Sequence, residues 1–237
     1  MQNPIIVALD LPTAEAALDL VERLKPLSPR LKIGSELFTT AGPDIVRRIR
    51  STGSSVFLDL KYHDIPNTVA QAVTAATRLD VQMLTIHTAG GSAMMRAALT
   101  AAEKTASELR RHAPLVLGVT VLTSMDDIAL EEIGAVSRAG EQVDRLALLA
   151  QKSGLRGLVC SPREISRLRA SLGSGIQLIT PGIRAGGEER DDQKRTLSAR
   201  EAIKAGADWL VVGRPIYQAT DPLAALKAML DEVNGID

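Results

Sequence analysis

Ser55-Val-Phe-Leu-Asp-Leu-Lys-Tyr-His-Asp-Ile-Pro-Asn-Thr68 begins as an apolar strand and ends by delivering Asp59, Lys61 and Asp64 within six positions. Alternation along a strand puts Asp59 and Lys61 on one face and Leu58 and Leu60 on the other. Burying such charges costs on the order of several kcal/mol per ion unless they pair. Two readings are open at this point: a structural ion pair at a strand end, or a reaction centre, since both perturb their surroundings in the same way.

Outward from this stretch the same unit recurs. Upstream lie the apolar runs Ile5–Leu9 and Leu31–Gly34; downstream lie Met83–Thr88, Leu115–Leu122, Leu158–Cys160, Gln177–Thr180 and Trp209–Gly213. Helical patterns follow most of them, over about 13–26, 43–51, 66–79, 91–112, 140–153 and 163–171, with further helices after the last run. Thr13 is the N-cap candidate of the first helix. The acidic stretch 126–132 reads as an irregular, solvated face.

Eight strand–helix units without a linker or a shift in composition predict an α/β protein, a (β/α)8 barrel, with residues 1–237 as one domain. The strands are continuous apolar runs, as expected of a parallel sheet covered by helices. A doubly wound open sheet is the alternative. It wants a Gly-rich turn after the first strand, and Asp10-Leu-Pro-Thr13 is not one.

Composition agrees with a barrel core. Among 237 residues 45% are hydrophobic but only 2% aromatic, so the core is built from Ala, Val, Ile and Leu. Lys plus Arg is 28 and Asp plus Glu is 28. With no basic block and almost no aromatic platform, a nucleic-acid partner is not expected. The single cysteine, Cys160, excludes an internal disulfide and any Cys-cluster metal site. No run approaches the roughly 20 apolar residues of a membrane span, and the first residues carry no basic leader, so a cytoplasmic protein with no membrane contact is expected.

In a barrel of this kind the functional site lies where the strands end. Those ends carry Asp10, Lys32, Asp59 with Lys61, His87, Thr123 with Ser124, Ser161 with Pro162, Thr180-Pro181-Gly182 and Gly213-Arg214. After the seventh strand, residues 183–195 form a long stretch with Gly186, Gly187, Arg184 and Gln193, suited either to a closing loop over an anion or to a solvated surface loop. Gly213-Arg214 opens a helix after the eighth strand, where negative charge is favoured. Barrels often bind phosphate with these two loops.

His63 and His87 with the nearby carboxylates suggest a metal site, but Lys61 competes with a divalent cation there; a hydrogen-bonded strand-end role suits His87 better. Ser124 lacks the partners of a nucleophile, and hydrogen bonding suits it better. Gly90-Gly91 reads as a helix cap.

The residues closely resemble the bacterial orotidine 5′-phosphate decarboxylase family. The resemblance rests on Val7-Ala-Leu-Asp10, Lys32-Ile-Gly34, Phe57–Thr68, Leu122-Thr-Ser124, Thr180-Pro-Gly-Ile-Arg184, Asp192-Gln193 and Gly213-Arg214-Pro-Ile216, in order along nearly the whole chain. It implies loss of CO2 from orotidine 5′-monophosphate to give uridine 5′-monophosphate (UMP), without metal or organic cofactor. It also implies a homodimer in which Asp64 and Thr68 enter the neighbouring subunit's site. By the same resemblance Asp10 and Lys32 hold ribose hydroxyls, Asp59 faces the substrate carboxylate, and Lys61 protonates C6. Thr123 and Ser124 lie at the pyrimidine. Pro181, Arg184, Gln193, Gly213 and Arg214 belong to the substrate grip, with the arginines and Gln193 on phosphate.

The chemistry suits the residue types. Decarboxylation leaves an electron pair in the ring plane with no cofactor to delocalise it, and a fixed ammonium both stabilises that charge and supplies the proton. Two rivals compete. A metal-dependent relative acting on a sugar phosphate through an enediolate needs an acidic ligand where this chain has Lys32, although Glu36 follows. A nucleotide-binding barrel without catalysis has no use for Lys32, Asp59, Lys61 and Asp64 together.

Overall fold

The computed structural model describes residues 3–136, 138–184 and 197–235. Its strands are β1 (Ile5–Ala8), β2 (Arg30–Gly34), β3 (Val56–Tyr62), β4 (Met83–His87), β5 (Leu115–Val119), β6 (Gly157–Val159), β7 (Gln177–Thr180), β8 (Ile183–Arg184), β9 (Leu197–Ser198) and β10 (Trp209–Val212). Eight of them close a parallel barrel in the order β1-β10-β7-β6-β5-β4-β3-β2, while β8 and β9 pair separately. The expected (β/α)8 architecture is present, and the open-sheet alternative is excluded by the β1–β10 pairing, with Ile6 opposite Val211.

Alternation along the strands sorts the apolar residues into two groups. Ile5, Val7, Val56, Leu58, Leu84 and Ile86 face outward and join the large core beneath the helices. Ile6, Ala8, Phe57, Met83, Leu117, Ile179, Trp209 and Val211 face inward and fill the barrel. Two buried faces explain why each strand reads as an unbroken apolar run. At the end where the strands begin, the Arg30 guanidinium lies 4.3 Å from the Trp209 ring centroid, and Trp209 Nε1 donates to Gln177 Oε1 at 2.8 Å. Partial burial lowers the Arg30 pKa, and the ring face partly replaces the water it loses.

The helices follow the expected spacing with three differences. Thr13 caps Ala14–Leu24 by accepting from Ala16 N at 3.2 Å, as anticipated. A helix at Ser35–Ala41 precedes the expected one at Asp44–Ser51. The acidic stretch is not irregular throughout: Asp127–Glu132 is helical, because the Asp126 carboxylate accepts from Ala129 N at 3.1 Å and satisfies an N-terminal donor. A further helix, Ala199–Lys204, sits between β9 and β10, started by the reciprocal Ser198–Glu201 capping box. The fifth strand ends at Val119 rather than Leu122, since its neighbours β4 and β6 run out beside it at His87 and Val159.

Candidate active site

The barrel interior changes character near its top. Below lie Phe57, Met83 and Leu117; above them the inward positions become Lys32, Asp59 and Thr85. Lys32 is 8% exposed. An ammonium so placed needs partners. It has Asp10 Oδ1 at 2.9 Å and Asp59 Oδ2 at 3.9 Å. The β1–β2 and β2–β3 registers bring these groups together: Ala8, two residues before Asp10, lies beside Lys32, and Gly34 lies beside Asp59. Gly34 leaves room for the pair, because a Cβ there would stand 3.1 Å from Lys32 Nζ and 3.4 Å from Asp10 Oδ1.

Lys61 closes the chain of charge. Its Nζ donates to Asp59, lying 2.9 Å from both carboxylate oxygens. Asp10, Lys32, Asp59 and Lys61 therefore alternate in sign across three strand ends, and their formal charges cancel. The shared face of Asp59 and Lys61 is as expected, but the route is not a plain pleat. Leu58 pairs with Leu84 and Tyr62 with Ile86, so β3 advances by four residues where β4 advances by two. Within this bulge Lys61 has φ +50°. For a residue with a Cβ this left-handed conformation costs about 1–3 kcal/mol, and such strain persists only where surrounding contacts impose it. The strain sits on the residue that the sequence pattern marks for chemistry.

Asp64 departs from its own chain's network. It is exposed, its Oδ1 accepts from Ile65 N at 2.6 Å, and it forms no ion pair among the described residues. Thr68, also exposed, lies in the first turn of helix Pro66–Arg78. Neither reaches Lys61 within the chain. His63 and His87 face each other with ring centroids 5.3 Å apart. Burial first, then the charges of His63 and Lys61, lowers the His87 pKa against the opposing pull of Asp59, favouring a neutral imidazole.

The other expected residues that the structure describes follow β5, β7 and β10. Thr123 and Ser124 lie in the turn after β5, with Thr123 partly buried and Ser124 exposed. Pro181 and Gly182 follow β7, and Arg184 pairs through its backbone with Ser198. Gly213 approaches the charge chain, since a Cβ on it would lie 3.6 Å from Asp10 Oδ2. Arg214 begins the four-residue helix Arg214–Tyr217. Gln193, and residues 185–196 as a whole, lie outside the described residues. Glu36, offered above as an alternative metal ligand, is exposed on helix Ser35–Ala41 while Lys32 occupies the strand end. Sequence reasoning missed Thr85, whose Oγ1 lies 2.9 Å from Asp59 Oδ1 and 2.8 Å from Lys61 N. The available signal was a hydroxyl two positions before His87 on the inward face of an otherwise apolar strand.

Cys160 is fully buried behind this end of the barrel. Burial pushes its thiol up to about 12, so it stays protonated and unreactive at neutral pH.

Fold and mouth together define a (β/α)8-barrel protein with an ion-paired lysine cluster where its strands end. The chain belongs to the Orotidine 5′-phosphate decarboxylase / HUMPS family, whose model matches residues 3–229. It is 51% identical over 232 residues to the orotidine 5′-phosphate decarboxylase of Pseudomonas aeruginosa PAO1, covering 98% of each chain. With that of Moorella thermoacetica it shares 49% over 233 residues, covering 98% of this chain and 92% of the relative. The crystal structure of orotidine 5′-phosphate decarboxylase from Lactobacillus acidophilus superposes with a TM-score of 0.88 at 36% identity, covering 99% of this chain and 100% of that one.

Proposed function

We propose that this chain converts orotidine 5′-monophosphate to UMP and CO2 without metal or organic cofactor, as the last step of UMP synthesis. The observation that carries the proposal is the Lys61 ammonium held 2.9 Å from both oxygens of Asp59 at the barrel mouth, in a chain whose relatives at about half identity bear that activity in their names.

In this reading the C6–carboxylate bond breaks with its electron pair remaining on C6 and CO2 leaving neutral. Lys61 Nζ stabilises the pair and transfers a proton to C6, then regains one from solvent. Asp59 faces the departing carboxylate and fixes the lysine before substrate arrives. Such preorganisation is worth more than a flexible cation, because no reorganisation is needed at the moment of reaction. Asp10 and Lys32 take the ribose hydroxyls, and Thr123 and Ser124 the pyrimidine. Pro181, Gly213, Arg184, Gln193 and Arg214 form the grip at the phosphate end. The direct test follows the absorbance change as orotidine monophosphate is consumed, with and without EDTA. Turnover indifferent to EDTA is expected. Loss of activity restored by Mg²⁺ supports the metal-dependent rival, and tight UMP binding without turnover supports a binding protein.

Arg214→Ala tests the phosphate assignment. A hydrogen bond to a charged group is worth about 1.5–3 kcal/mol, so KM should rise about 10- to 100-fold with a smaller change in kcat. Unchanged kinetics would remove Arg214 from the phosphate site.

The proposal includes a cytoplasmic homodimer with shared sites, the whole chain 1–237 acting as one barrel domain. Asp64, exposed and without an ion pair among the described residues, supports Asp64 and Thr68 serving the other subunit, and exposed Ile65 beside them suits an interface. Mixing Asp64→Asn chains with Lys61→Ala chains leaves one intact site per heterodimer, so random exchange in a twofold dimer should restore roughly a quarter of parental activity. Heterodimers that form and stay inactive would show that each site is built from one chain.

A further inference from the structure

Thr85 is fully buried on the inward side of β4, between Met83 and His87. The directions of its hydrogen bonds are forced. A backbone N–H only donates and a carboxylate paired with two lysines accepts, so Thr85 Oγ1 accepts from Lys61 N at 2.8 Å and gives its one proton to Asp59 Oδ1 at 2.9 Å. The bulge gives the first bond its meaning. Between the Leu58–Leu84 and Tyr62–Ile86 pairs, β3 is out of step with β4, and Lys61 turns to φ +50°. There the Lys61 amide meets a side-chain hydroxyl from the neighbouring strand. A single buried hydroxyl thus holds both the backbone that carries Lys61 and the carboxylate that holds its ammonium.

We propose that Thr85 is a positioning residue for the proton donor: it fixes the left-handed turn at Lys61 and the orientation of Asp59, and so aims Lys61 Nζ at the reacting carbon. The inference rests on the decarboxylase reading. A plainer role for a β-branched residue in a strand is to fill space, and valine would fill the same space. That difference defines the experiment.

Thr85→Val keeps the shape and removes both hydrogen bonds; Thr85→Ser keeps the hydroxyl. For each, kcat, KM, UMP affinity and Tm are measured. Displacing a catalytic group by about 1 Å costs on the order of 10²-fold in rate, so Thr85→Val should lose about that much kcat while KM and UMP affinity stay within about threefold. Thr85→Ser should recover most of the loss. A valine variant with near-parental kcat would overturn the proposal, as would kcat, KM and UMP affinity deteriorating together, or a serine variant as slow as the valine one. Should the valine chain fail to fold, Thr85→Ala with the same readouts takes its place. An inactive parent would overturn the functional reading itself, whereas an active parent with an active valine variant overturns only the role of Thr85.

Discussion

Lys61→Ala is expected to lower kcat by about 10⁴-fold or more, combining loss of a positioned proton donor with loss of preorganised charge stabilisation, while UMP affinity shifts by less than about tenfold. One observation and one proposed assignment set this split. Lys61 Nζ is held by Asp59 alone among the described ion pairs, so its removal leaves Lys32 still paired with Asp10 at 2.9 Å. The phosphate grip is assigned to the loops near β7 and β10, on other strands. Lys61→Arg sharpens the test, since a guanidinium keeps the charge but does not surrender its proton. It should remain nearly as slow as the alanine variant. An arginine variant with substantial activity would shift the weight from proton transfer to charge, and an alanine variant with parental turnover would refute the assignment of Lys61 altogether.

The barrel was legible because a parallel strand buried on two faces must be apolar along its length, and eight such runs punctuate the chain. What the runs could not tell was which residue faces which core. That emerged only from register: Phe57 and Ile6 inside, Leu58 and Val7 outside. Short helices escaped for a different reason. Ser35–Ala41 and Ala199–Lys204 are too brief for a periodic pattern to stand out. Yet Ser198-x-x-Glu201 is a capping signal readable from the residues alone, and Asp126 is a simpler N-cap whose side chain accepts from Ala129 N.

Within the site, the composition of the charge chain was readable and its geometry was not. Alternation placed Asp59 and Lys61 on one face, and they do meet. The left-handed turn at Lys61 has no local cause in sequence, for neither glycine nor asparagine occupies the position; a neighbouring strand imposes it. Thr85 left only a faint trace for the same reason, because a threonine in a strand is ordinary until its partners are seen. Asp64 shows the reverse case. Three residues from Lys61 in sequence, it forms no ion pair with Lys61, for β3 ends at Tyr62 and Asp64 lies exposed beyond it.

Asp59→Asn decides between the two readings with which the charge cluster began. Asparagine keeps the volume and an acceptor for Thr85 but removes the negative charge between two ammonium groups. If the cluster is a structural ion pair, stability should fall and any activity should survive. The geometry predicts that activity is lost. Lys32 keeps Asp10, and Lys61, whose side chain is 36% exposed, can be hydrated once released. With Asp59 itself only 14% exposed, the stability loss should be about 1–3 kcal/mol, or roughly 2–12 °C in Tm for a chain of this size. The rate should suffer far more. A Lys61 no longer held against Asp59 samples other rotamers and loses its aim, and misplacement of that order costs about 10²-fold or more. A variant that melts many degrees lower yet turns over normally would return Asp59 to the structural role.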